Sequence, residues 1–123
     1  AQVHHLVSTV KGTLREGTDA IDALALSFPG GSITGAPKKR AMEIIDDLEP
    51  HPRGIYCGAI GWFGFNGESS FNIAIRTLIR KADKLVYQVG AGIVADSDPE
   101  KEYEETLHKA AGIRLAIERW QKG

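Results

Sequence analysis

Glu102, Glu105 and Lys109 stand three and four residues apart near the end of the chain. That spacing puts all three on one side of a helix. Two carboxylates with room for water can hold a magnesium ion, which takes few protein ligands and keeps several waters. A solvated Glu/Lys face gives the same pattern, and six charges fall between Glu100 and Lys109. A second chemical signal is the run SFPGGSITGAPKKRAMEII from Ser27 to Ile45. Gly30 and Gly31 let another group approach the main chain closely, and Ser32 follows them with a hydroxyl. Pro37 suits the first position of a helix, whose N-terminus carries unpaired N–H groups that favour an anion. An ordinary turn before a helix is the alternative. Arg76 offers a planar fork for a carboxylate. His4 and His5 are adjacent, so in a strand they face opposite ways and make no simple two-histidine metal site.

Two look-alike motifs fail on context. GAGIVA at Gly90–Ala95 mimics a dinucleotide fingerprint, but Asp96, Ser97, Asp98 and Pro99 delay the helix that should begin inside the glycines. GGSITGAPK is no P-loop, because Ala36-Pro37 replaces Lys-Ser/Thr after Gly35.

The elements that must position these residues read as α+β. A strand runs from His4 to about Val10 and on to Arg15. A helix follows from about Asp19 to Leu26, with Thr18 as N-cap. The glycine run leads into a helix from Pro37 to about Glu49, with Met42, Ile45 and Leu48 on one face and Pro50 and Pro52 ending it. Three strands follow, near Ile55–Phe65, Ser70–Arg80 and Lys84–Val94, with Asn66-Gly67 as a hairpin signal. A long helix spans about Pro99 to Gln121. Ser97 and Glu100 have capping-box spacing there, and Tyr103, Leu107, Ala110, Ile113, Ile117 and Trp120 form an apolar stripe.

Alternation in the middle strand turns Phe71, Ile73 and Ile75 toward a core and Asn72, Ala74 and Arg76 away from it. Gly90 and Gly92 share a face and leave a groove; a solvated sheet face is the alternative for Arg76. A two-residue Asn66-Gly67 loop would oppose Arg76 to Cys57. For Tyr56 and Arg76 to share a ligand face, the loop must have an odd count, such as Asn66-Gly67-Glu68, or the ladder a bulge.

Composition narrows the class. The chain has 123 residues, 42% hydrophobic and 25% charged, as in a soluble globular protein. It has room for one domain, 1–123, without an internal boundary. A net charge of −1 suggests neither nucleic acid nor an anionic membrane as partner, and no apolar stretch is long enough to span a bilayer. The lone Cys57 excludes an internal disulfide and a cysteine zinc site, which suits a cytoplasmic protein.

FPGGSITGAPK with RAMEII resembles the signature of the chorismate-utilising enzymes, and within them the aminodeoxychorismate synthase component I branch of para-aminobenzoate and folate synthesis. HHLVSTV, YCGAIGWFGF, IAIRTL and VGAGIVADSDPEKEYEET agree in order and spacing. The resemblance covers nearly the whole chain and matches the C-terminal part of longer proteins. It implies the anthranilate synthase component I-like fold, an antiparallel sheet with packed helices. The implied reaction replaces the C4 hydroxyl of chorismate by nitrogen, with magnesium as cofactor and a glutamine amidotransferase subunit as ammonia source. It also implies roles. His5 would lie near the C4 substituent. Gly31 and Ser32 would meet the ring carboxylate, where related anthranilate enzymes carry Thr in place of Ser32. Tyr56 and Arg76 would hold the enolpyruvyl carboxylate, with backbone contacts from Gly90, Ala91 and Gly92. Glu105 would hold magnesium directly and Glu102 directly or through a water, with Lys109 near the substrate. The family's PIKGT-type lysine, which attacks chorismate, lies upstream, so the chain alone is expected to be inactive. Within the family, anthranilate, isochorismate and salicylate synthases share most of this geometry; the SITGAPK wording favours the aminodeoxychorismate branch. A non-catalytic module that binds a partner subunit is the reading from another class.

Overall fold

Where a chain has several residues able to cap a helix, the one whose carboxylate reaches the free N–H groups sets the start. In the computed structural model, which describes residues 7–122, that residue is Asp19 rather than Thr18. Its Oδ1 accepts from the N–H groups of Ile21 and Asp22, at 2.8 and 3.0 Å, and Asp22 reaches back to the Asp19 N–H. Helix α1 therefore runs Ala20–Ser27. The glycine run forms a single turn, α2, Gly31–Thr34. Helix α3 spans Lys38–Leu48, with Pro37 as the residue before it rather than its first member. The last helix, α4, covers Pro99–Lys122. Here too the sequence reading was one residue early: Asp98, not Ser97, accepts from the N–H groups of Glu100 and Lys101.

The β structure departs further from the sequence reading. No strand forms between Val7 and Arg15, a segment that is exposed throughout. A strand exists only through its ladder, and no described residue pairs with this one. His4, His5 and Leu6 lie outside the described residues. In place of one antiparallel sheet there are two hairpins. Strand β1, Ala59–Phe63, pairs with β2, Ser69–Ile73. Strand β3, Leu78–Lys81, pairs with β4, Lys84–Tyr87. The expected middle strand is thus broken between Ile73 and Leu78. The expected third strand stops before the glycines of Gly90–Gly92.

The first hairpin has an odd loop, one of the two devices that a shared Tyr56–Arg76 face would need. Gly64 donates to Glu68 at 2.7 Å, and Gly67, with φ 86°, donates back to Gly64 at 3.0 Å, leaving Phe65-Asn66-Gly67 as a three-residue loop. At the other end Cys57 donates to Ala74, at 2.9 Å, while Ala74 donates to Gly58, at 2.9 Å. Two residues therefore oppose one, and Cys57 has φ 66°. This is a bulge with its first residue left-handed. Both devices are present, and the ladder ends there. Gly61 is required for the pairing, since a Cβ would lie 2.0 Å from the Ser70 carbonyl oxygen.

Burial also differs from expectation. Among the described residues the buried apolar side chains are Ala74 and Ala110. Ala74 comes from the set read as facing away from the core, whereas Ile73 and Ile75 are exposed. The small side chain fits where the bulge brings two backbones close. On α4, the partly buried line is Glu102, Thr106, Lys109, Ile113 and Ile117 around Ala110, while Tyr103, Leu107 and Trp120 are exposed. Half of the expected apolar stripe thus faces outward, because the helix turns its polar Glu102 and Lys109 toward the loop that precedes it.

Candidate functional site

The bulge at Cys57 does more than end a strand. With the turn that links the Gly58 N–H to the Ile55 carbonyl at 2.9 Å, it aims Tyr56 away from the ladder. The Tyr56 hydroxyl reaches Gly90 so closely that a Cβ there would lie 2.9 Å from it. Glycine admits that approach directly; a side chain at position 90 would make the end of the tyrosine ring shift. The Gly90 carbonyl in turn accepts from Lys109 Nζ at 3.1 Å, and Lys109 forms an ion pair with Glu105 one turn earlier. Segments far apart in sequence, the bulge, the glycine loop and α4, thus meet through Tyr56, Gly90, Lys109 and Glu105.

Glu102 sits one turn before Glu105 on α4. Its Oε1 accepts from Ser97 Oγ at 2.6 Å. Its Oε2 is buried and has no hydrogen-bond partner among the described residues. A buried carboxylate oxygen without a donor is costly, and a hard cation would satisfy it. The oxygen donors of Glu102 and Glu105 fit magnesium in kind. They supply only part of a coordination shell, since no group of three or more potential ligands occurs among the described residues.

Arg53 is the member of the site that the sequence reading missed. It donates to Glu49 through Nε, at 2.9 Å, and Nη2, at 2.6 Å, and its Nη1 lies 3.4 Å from the Ile33 carbonyl oxygen. Its guanidinium also lies 5.9 Å from the centre of the Tyr56 ring. It therefore ties α2, the end of α3 and Tyr56 together. The Glu49–Arg53 spacing of four was visible, but α3 ends at Leu48, so the pair spans a helix end and the loop beyond it. The Arg53 hydrogen bonds hold the Glu49 carboxyl below its usual range. Burial pushes the Tyr56 phenol up, with the Cys57 thiol adding to the shift, so Tyr56 stays protonated and able to donate at neutral pH.

Other expected members are not drawn in. Arg76 lies in a left-handed turn, φ 51°, between β2 and β3. It is exposed and makes no hydrogen bond or ion pair with a described residue. The shared face expected for Tyr56 and Arg76 is not formed by the ladder, which ends at the bulge. Gly31 and Ser32 are exposed on α2, and Gly92 is exposed, whereas Ala91 is half-buried. His5 lies outside the described residues.

The sequence model of the family described as chorismate binding enzyme matches residues 1–114. Among named relatives, anthranilate synthase component 1 1 of Haloarcula marismortui is 54% identical over 96% of this chain and 24% of its own length. Aminodeoxychorismate synthase component 1 of Bacillus subtilis is 51% identical over 96% of this chain and 25% of its own. Anthranilate synthase component 1 of Neisseria gonorrhoeae is 50% identical over the whole chain and 25% of its own length. The chain spans about a quarter of the length of these relatives.

Proposed function

The chain belongs to the chorismate binding enzyme family, and from that premise we propose that it is the chorismate-holding C-terminal part of a component I enzyme that aminates chorismate. The observation that carries this reading is the convergence of the Tyr56 hydroxyl, the Gly90 loop and Lys109 beside two glutamates. Tyr56, kept protonated, donates to the enolpyruvyl carboxylate, and Arg76 clamps it. Lys109 holds the Gly90 carbonyl. In a trans peptide the next N–H points the opposite way, so this contact fixes the direction of the Ala91 N–H. Ser32 and the Gly31 backbone meet the ring carboxylate. Glu102 and Glu105 would hold magnesium, which supplies positive charge against the ring carboxylate and Lewis-acid help to the departing hydroxyl. By the family resemblance, His5 would serve that hydroxyl. Ammonia comes from a glutamine amidotransferase partner.

The product we propose is 4-amino-4-deoxychorismate: nitrogen enters at C4, the hydroxyl leaves as water and the enolpyruvyl group stays. SITGAPK supports this branch. A second reading, anthranilate, is favoured by the relative of that name at 54% identity. Anthranilate carries no enolpyruvyl group, so forming it must release pyruvate. The test supplies chorismate, ammonia and magnesium to the complete natural polypeptide. An amino product without pyruvate is expected. Pyruvate released in step with an aromatic amine selects anthranilate, and no chorismate consumption overturns both.

A further inference from the structure

We propose that Ser97 is a positioning residue that holds one oxygen of Glu102 so that the other is presented to a divalent cation. The inference rests on reading Glu102 as a metal ligand. Ser97 has the spacing of a helix cap, but Asp98 takes that role, with Oδ1 accepting from Glu100 N at 3.0 Å and Lys101 N at 3.1 Å. The Ser97 hydroxyl is thereby left for something else. It accepts from the Val94 N–H at 3.0 Å and donates to Glu102 Oε1 at 2.6 Å. A hydroxyl has one proton. With the Val94 N–H on a lone pair, that proton goes to the carboxylate, and the backbone sets its direction. Ser97 N also donates to the Val94 carbonyl at 3.1 Å, closing the turn on itself.

The result is an asymmetric carboxylate. Oε1 is satisfied by a short hydrogen bond, and Oε2 is buried without a donor. A free glutamate on the first turn of a helix would place both oxygens in water. Here a backbone-anchored hydroxyl withdraws the side chain from water and fixes its rotation, while leaving one oxygen open. Outer groups that orient a ligand in this way commonly change metal affinity by about 10–100-fold when removed.

The experiment titrates Mn2+, as a magnetic probe for the magnesium position, into the complete natural polypeptide with chorismate present and ammonia absent. Free Mn2+ is read by electron paramagnetic resonance. Ser97→Ala is expected to weaken Mn2+ binding at least about tenfold. Ser97→Thr, which keeps the hydroxyl, should stay within about twofold of the unsubstituted protein. Asp98→Ala removes the cap and should lower the melting temperature while leaving Mn2+ affinity unchanged, which separates positioning from helix stability. Unaltered binding in Ser97→Ala, with weakened binding in Glu102→Gln, overturns the role of Ser97 and leaves the metal site standing. Equal loss in Ser97→Thr and Ser97→Ala also overturns it, because the hydroxyl would then not matter. Unaltered binding in Glu102→Gln removes the metal reading and this inference with it.

Discussion

The Gly90–Lys109 region and the Gly30–Arg40 region were both read from sequence as ligand-holding, yet they are built differently. In the first, the polar groups are already tied to one another: Ser97 to Glu102, Lys109 to Gly90 and Glu105, and Tyr56 against Gly90. Its contacts join the last helix, the loop leading into it and Tyr56 from the bulge far earlier in the chain. In the second, Gly31 and Ser32 are exposed on a single turn, and Lys38 Nζ reaches back only to the Ser27 carbonyl, at 3.2 Å. Arg76 belongs with this second kind. A preorganised group is held before the ligand arrives; an exposed one is ordered by the ligand and bears that entropic cost on binding. Substitutions in the two regions should therefore divide differently between stability and catalysis.

The largest effect should come from the exposed kind. Arg76→Ala in the complete natural polypeptide is expected to lower kcat/KM by roughly 2–4 kcal/mol in transition-state stabilisation, as for loss of a charged hydrogen-bonding partner. Thermal stability should hardly change, because the guanidinium has no described partner to lose. Steady-state kinetics alongside a melting curve checks both. A change below about threefold in kcat/KM would remove Arg76 from the site, since even a neutral hydrogen bond is worth about that much.

Gly90→Ala probes the preorganised region. Its Cβ would sit 2.9 Å from the Tyr56 hydroxyl, so the ring must move. The shift needed is only part of the displacement of about 1 Å that can cost about 100-fold in rate, so kcat/KM should fall by roughly tenfold or less. In a Tyr56→Phe background the same substitution should cost much less, because the atom in the way is gone. Equal losses in both backgrounds would show that Gly90 acts through something other than Tyr56.

The smallest effect is expected at Arg53, which supports Tyr56 from behind. Arg53→Ala should destabilise by roughly 0.5–1 kcal/mol, given a pair open to solvent. The sign with pH follows from Glu49, whose folded carboxyl the Arg53 hydrogen bonds hold below the usual carboxylate range. A depressed carboxyl contributes stability above its unfolded pKa and loses it as pH falls through the folded one. Denaturant midpoints from pH 7 downward should converge for Arg53→Ala and the unsubstituted protein as Glu49 protonates. A constant gap would mean that Arg53 stabilises through the Tyr56 ring and the Ile33 carbonyl rather than through Glu49.

The helices were legible because their signals are local. Pro50 and Pro52 bound α3, and Asp98-Pro99 opens α4. The misplaced caps, Thr18 for Asp19 and Ser97 for Asp98, arose where two competent side chains are adjacent and only the reach of the carboxylate decides. An odd loop or a bulge was the condition for Tyr56 and Arg76 to share a face; the molecule has both, so their parity shifts cancel and the ladder forms no shared face. That the loop is Phe65-Asn66-Gly67, with Gly64 opposite Glu68, had no local signal. Nothing local in IAIRTL announces a left-handed Arg76, and nothing in YCGAI announces a bulge at Cys57.

By itself, then, the sequence determined the three longer helices, the α+β class, the family and the set of polar groups on one side of α4, because propensity, capping and spacing act over a few residues. Only the tertiary structure decided that Ser97 serves Glu102 rather than the helix end, that Arg53 backs Tyr56, and that the Tyr56 hydroxyl comes to rest against Gly90. Those facts depend on which segments meet in space, and contacts such as Lys109 with Gly90, or Tyr56 with Gly90, join residues that no local rule relates.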